Sequence, residues 1–214
     1  MCTAWFRVAM ISLQNLLTDI RACHQCADLP LGPRPVLVAD ARAPILLIGQ
    51  APGTKVHASG VPWSDASGKR LRQWLGVDEA TFYDPARFAI VPMGFCYPGK
   101  GKSGDLPPRP ECRALWHPQL LPLLAGVKLV LAIGQYAQAF YLGDARKADL
   151  TATVQAWRDY APQTFVLPHP SPRNQLWLKR NPWFELEVIP ALQAQVAAVL
   201  TNGTLASSNI SCQK

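Results

Sequence analysis

Two segments, Ile45-Leu-Leu-Ile-Gly-Gln-Ala-Pro-Gly53 and, far downstream, Val166-Leu-Pro-His-Pro-Ser-Pro-Arg-Asn174, constrain this chain most. Each is a short apolar run that stops abruptly in a turn of Gly, Pro and polar side chains. A run without polar alternation suits a strand covered on both faces, as in a parallel sheet flanked by helices. In an open α/β sheet, ligand sites form at the carboxyl ends of strands. Gln50 and His169 stand on two such ends, so one pocket assembled from distant parts of the sequence is expected.

The rest of the chain alternates in the same way. Leu13, Leu16, Leu17 and Ile20 recur at helical spacing and predict a helix over 12–23. A Pro-rich connection through Pro30, Pro33, Pro35 and Pro44 leads to a strand at Ile45–Ile48. A helix over 67–75 stops at Gly76, a strand is expected over 88–95, and helical spacing returns over 111–124. A strand over 127–134, a helix over 135–142, a strand at Thr164–Leu167 and a long helix over 183–200 complete the pattern. Pro190 should break or kink that last helix. Strands alternating with helices imply βαβ units and a three-layer α/β/α fold around a mostly parallel, four-stranded sheet. One domain is expected over 10–201, with 202–214 a disordered tail.

Hydrophobic content of 49% against 16% charged residues, in a chain of 214, excludes a disordered class and allows a substantial core. The net charge of +7 is compatible with an anionic partner. No apolar run is read as long enough to span a bilayer, and the first stretch, with its lone Arg7, lacks a cleavage signature. A cytoplasmic, monomeric protein without a membrane partner is therefore expected. Gly68-Lys69 superficially resembles a phosphate-binding loop, but Trp63 replaces the required earlier Gly and Arg70 the magnesium-holding hydroxyl.

Six cysteines in such a compartment are not expected to pair as disulfides. Cys2 and Cys212 lie at the termini. Cys23-His-Gln-Cys26 places two thiols within one turn, and Cys96 with Cys112 forms a second pair across a basic Gly/Pro-rich loop. Soft thiolates gathered in this way suit zinc or an iron–sulfur cluster, and the residues alone leave both open.

The two strand-end segments resemble the active-site motifs of the uracil-DNA glycosylase superfamily. Gly49-Gln-Ala-Pro-Gly53 is similar to the Gly-Glu-Ala-Pro-Gly motif of its iron–sulfur (family 4) branch, and His169-Pro-Ser-Pro-Arg-Asn174 to the second motif. Gly60-Val-Pro-Trp63 resembles the family's Gly-x-Pro-Phe, and the resemblance spans about residues 12 to 200. It implies a DNA-repair hydrolase that removes a flipped damaged base, uracil first among candidates, from double- or single-stranded DNA and leaves an abasic site. It also implies a 4Fe–4S cluster on Cys23, Cys26, Cys96 and Cys112, zinc being the alternative.

On that resemblance Trp63 stacks on the extruded base and His169 donates a hydrogen bond to the departing pyrimidine. Gly49, Ala51, Pro52 and Gly53 bring backbone to the base, and Gln50 contributes an amide or backbone contact. Ser171, Arg173 and Asn174 enter the minor groove, with Arg173 near phosphate. Lys69, Arg70, Arg72, Lys100, Lys102, Arg109, Lys179 and Arg180 are further candidates for backbone contacts. Two departures stand out. Gln50 replaces a Glu, so the first motif offers no carboxylate to the attacking water, and Asp65 becomes the substitute candidate. Pro92 occupies the position of an Asn that reads the pyrimidine edge. No lysine is placed for lyase chemistry, so a monofunctional enzyme is expected. The alternative is a non-catalytic iron–sulfur nucleic-acid-binding protein of the same fold.

Overall fold

The computed structural model describes residues 12–102 and 104–207, with side chains to 201. Ser12 caps α1 (Leu13–Arg21) by accepting from the Asn15 N–H at 3.2 Å, and Leu16, Leu17 and Ile20 face the core. Then follow β1 (Ile45–Ile48), α2 (Thr54–Ser59), α3 (Ala66–Leu75), α4 (Glu79–Tyr83) and β2 (Phe88–Ile90). The chain continues through α5 (Pro110–Leu120), β3 (Leu129–Ile133), α6 (Gly134–Leu142) and α7 (Leu150–Gln155). It ends with β4 (Thr164–Leu167), α8 (Gln175–Arg180) and α9 (Ile189–Ser207). The short helices α2, α4, α7 and α8 were not legible in the periodicity, which needs more turns than they contain.

The four strands form one sheet in the order β2-β1-β3-β4, and all three pairings are parallel. The expected "mostly parallel" sheet is thus wholly parallel within its named strands. Every residue of β1 is buried, because neighbours pair on both edges and helices cover both faces. The fold is the three-layer α/β/α architecture. Phe82, Phe88, Phe95 and Phe184 are fully buried around the sheet, and Trp74 meets Phe184 edge to face at 4.9 Å.

The second strand stops at Ile90 rather than reaching residue 95. Pro92 has no N–H to give the ladder, and its carbonyl turns to His117 Nε2 at 3.0 Å. Beyond it the backbone still leans on β1: the Met93 N–H donates to Gly49 O and the Gly94 N–H to Gln50 O. Pro190 does not break the last helix. A wide π-helical turn at Phe184–Val188 leads directly into α9, which places the proline in the first turn, where its missing N–H is tolerated.

The helix runs to Ser207, six residues into the segment set aside as a tail. The segment 208–214, the remainder of the expected tail, lies outside the described residues, as do residues 1–11. Phe184–Thr201 is long and apolar enough, by length and composition, to cross a membrane, contrary to the reading that no run is. In this fold its Phe184, Val188, Leu192 and Val196 are buried in the core, and α9 packs beside α3.

Candidate active site

The carboxyl ends of β1 and β4 open into one cavity of about 370 Å³. Its lining brings together Gly49, Gln50, Ala51, Pro52 and Gly53, then Trp63 and Asp65, and from the other motif His169, Ser171 and Arg173. Asn174 does not line it. Its Nδ2 donates to the His169 carbonyl at 2.7 Å and so fixes the turn that presents the imidazole.

Gly49 is glycine because of Trp63. A Cβ there would lie 2.8 Å from Trp63 Cζ2, so only a bare backbone lets the indole close onto the strand end. Trp63 itself has φ 55, in the left-handed region that a bulky residue enters at a cost of about 1–3 kcal/mol. Its carbonyl is held by the Tyr83 hydroxyl at 3.2 Å, and Gly68 packs so closely that a Cβ would overlap that carbonyl. The result is an indole held 5.5 Å from the His169 ring, the two planes inclined by 33°.

Burial holds the His169 imidazole below its usual pKa, with Asp65 opposing the shift. The ring is therefore neutral at pH 7, the state in which it can donate one hydrogen bond without carrying charge. Asp65 caps α3: its Oδ1 accepts from the Gly68 N–H at 3.0 Å. Gln50, expected to contribute an amide or backbone contact to the base, lines the cavity, and its Nε2 donates to the Leu106 carbonyl at 3.1 Å.

Several basic side chains expected at phosphates hold the protein together. Arg70 donates to Ser171 O at 3.2 Å and to Gln175 Oε1 at 2.8 Å, bracing the second motif. Arg72 lies over the rings of Phe82 and Tyr83, and Arg109 pairs with Asp28. Lys69, Lys100, Lys102, Lys179 and Arg180 are exposed, as is Arg173 at the cavity mouth. The cavity also contains Asp105 and Lys55, which the sequence did not single out.

A second cavity, of about 240 Å³, is lined by Cys23, Cys26, Cys96 and Cys112 together with Leu29, Phe95 and Trp116. The Phe95 N–H donates to Cys112 Sγ at 3.3 Å. Burial pushes the Cys96 thiol up to about 11 and Cys112 up to about 12, and raises Cys26 too. Among the described residues, no three His, Cys, Asp or Glu side chains converge closely enough to hold a single metal ion. Zinc bonded to sulfur at ~2.3 Å needs its sulfurs about 4 Å apart. The four thiols that line this cavity are the residues that could hold a metal group.

The family model of the Uracil DNA glycosylase superfamily matches residues 36–193. The chain belongs to the uracil-DNA glycosylase superfamily. The match takes in both strand-end motifs, Trp63, Cys96 and Cys112, and begins downstream of Cys23 and Cys26. Membership supports hydrolase chemistry of the DNA glycosylase kind, in DNA repair, and action on DNA.

Proposed function

We propose that this glycosylase-superfamily protein hydrolyses the N-glycosidic bond of a damaged base flipped out of DNA, uracil being the first candidate, and leaves an abasic site. The observation that carries the reading is the meeting of Trp63 and His169 across one cavity at two parallel strand ends. A flipped base needs a flat wall and a hydrogen-bond donor aimed at its carbonyl edge. Trp63 is the wall. The neutral His169 stabilises charge developing on the leaving base, an interaction of the kind that carries ~10²–10³ in rate. Arg173, at the mouth, faces the strand backbone.

In the same reading Cys23, Cys26, Cys96 and Cys112 hold a 4Fe–4S cluster, which ties α1 to the loop between Cys96 and Cys112. All four thiols line one cavity, which is the arrangement that supports a shared metal group. Zinc is the alternative metal. The rival function, a non-catalytic nucleic-acid binder, draws on two features: Gln50's amide is engaged by Leu106, and Pro92 stands where an Asn is expected.

The test is purified protein on oligonucleotides bearing uracil, hypoxanthine, xanthine or a mismatch, followed by alkaline cleavage of abasic sites. His169→Ala should cut single-turnover base release by ~10²-fold or more while changing DNA affinity little. Binding to DNA with no release from any substrate would replace the enzyme by the binder.

A further inference from the structure

Hydrolysis under the glycosylase reading, on which this inference rests, needs a group to orient water and take its proton, and the turn Gly49-Gln-Ala-Pro-Gly53 contains no carboxylate. Two carboxylates line the cavity, Asp65 and Asp105. Asp65 has an oxygen engaged in capping α3. Asp105 arrives from a separate part of the chain, the loop between Cys96 and Cys112. There an antiparallel bridge joins it to Lys100, and the Leu106 N–H donates to Gly99 O at 2.8 Å. Its Oδ2 reaches over the first motif, 3.5 Å from where a Cβ on Gly53 would stand. The residue is exposed at the cavity mouth, so water has access to it.

Gln50 completes the arrangement. Its Nε2 donates to the carbonyl of Leu106, the residue after Asp105. A glutamate at position 50 could not make that bond, because it would set a carboxylate against a carbonyl oxygen and bring a like charge toward Asp105. The amide at 50 thus fits beside a carboxylate at 105 where a second carboxylate would not.

We propose that Asp105 is the catalytic carboxylate that orients and deprotonates the attacking water, and that Gln50 is a positioning residue that holds the Asp105 loop over the cavity. As the C1′–N bond breaks, its electron pair leaves with the base, whose developing charge His169 stabilises. The water oxygen bonds to C1′, and the proton it sheds passes to Asp105 and then to solvent. The released base takes up a proton from solvent in turn.

Although the residue is exposed, partial desolvation of its carboxyl raises the Asp105 pKa above the usual aspartate range; Arg173 and Lys100 pull it down and Asp65 pushes it up. Tyr97 also feels its charge, and Lys55 and His169 share the cavity. A carboxylate shifted upward is a better proton acceptor near neutrality.

Single-turnover base release, DNA affinity and pH profiles of the full chain test the assignment. Asp105→Asn should lower release by at least ~10²-fold with DNA affinity unchanged. It should also abolish an acid limb that wild type shows above the ordinary aspartate range. Gln50→Glu should slow release despite restoring the family's carboxylate, and Gln50→Ala should add little to Asp105→Asn, since both act through one group. Asp105→Asn should melt no lower than wild type at neutral pH, because a carboxylate raised by burial destabilises the fold there. Release by Asp105→Asn within about threefold of wild type, against a general-base contribution of ~10² or more, overturns the assignment and leaves the glycosylase reading standing. So does a Gln50→Glu variant faster than wild type. A wild type that releases no base overturns both.

Discussion

His117 is 1% exposed and lies between two fixed partners, the Pro92 carbonyl at 3.0 Å from Nε2 and the Tyr141 hydroxyl at 2.9 Å from Nδ1. A carbonyl can only accept, so Nε2 carries the hydrogen and Nδ1 accepts from Tyr141. Burial drives the imidazole down from 6.5 to about 4. The unfolded chain then takes up a proton below about pH 6.5 that the folded chain refuses until about pH 4. Stability from this group is complete above that window and is lost as pH falls through it, up to ~3 kcal/mol in all. His169, shifted in the same direction, adds to the same slope. Urea unfolding from pH 7 to 4 should therefore show stability declining with acid, and His117→Gln, which still offers an N–H to Pro92, should flatten the decline. An unchanged slope would assign the acid sensitivity elsewhere.

Two elements carry the architecture of the site. Helix α3 begins at Asp65, and Asp65→Ala should lower stability by about 0.5–2 kcal/mol while Asp65→Asn preserves the cap. Thermal melts of the pair separate capping from any electrostatic role beside His169. The loop from Cys96 to Cys112 carries one thiol at each end and Asp105 between them, and the Gly94 N–H fastens its approach to Gln50 O. Anaerobically purified protein should be brown, with absorbance near ~400 nm. Cys23→Ala or Cys112→Ala should lose iron and solubility together, whereas Cys2→Ala should lose neither. Stoichiometric zinc without iron would transfer the site to the alternative metal. Thiols raised to about 11 and about 12 are protonated at neutral pH, so loading should release protons and strengthen as pH rises.

At the scale of the whole molecule the charge of +7 is unevenly deployed. Of the basic residues considered for phosphate contacts, Arg70, Arg72 and Arg109 are engaged within the protein, whereas Lys69, Lys100, Lys102, Lys179, Arg180 and Arg173 are exposed where a phosphate backbone could reach them. Affinity for DNA should fall steeply with salt as bound counterions are released, with a log–log slope of roughly −0.9 per duplex phosphate neutralised. Arg173→Ala should weaken binding and reduce that slope by about 1 without unfolding the protein. Arg70→Ala should instead disorder the second motif, lowering base release at constant salt slope. Equal slopes for wild type and Arg173→Ala would remove Arg173 from the interface.

Local chemistry, readable one segment at a time, determined much of this protein. Ile45–Ile48 is a uniformly apolar strand and Thr164–Leu167 is apolar after its first residue because helices cover both sheet faces, and their Gly- and Pro-rich ends stop them where the ladder cannot continue. The same local rules placed Gly49 to Gly53, Trp63 and His169 at strand ends or in adjoining turns, and the cavity gathers them as their positions in an α/β sheet require. Only the tertiary structure decided what crosses between segments. Gln50 and Leu106 are far apart in sequence, so nothing local shows that the amide holds a loop. Asp105 reads as one residue of a basic turn until that loop is laid over Gly53. Pro190 reads as a helix breaker until the preceding π turn places it where no N–H is needed. Periodicity and turn chemistry act over a few residues, whereas a long-range hydrogen bond or the neighbour of a carboxylate is set by packing alone.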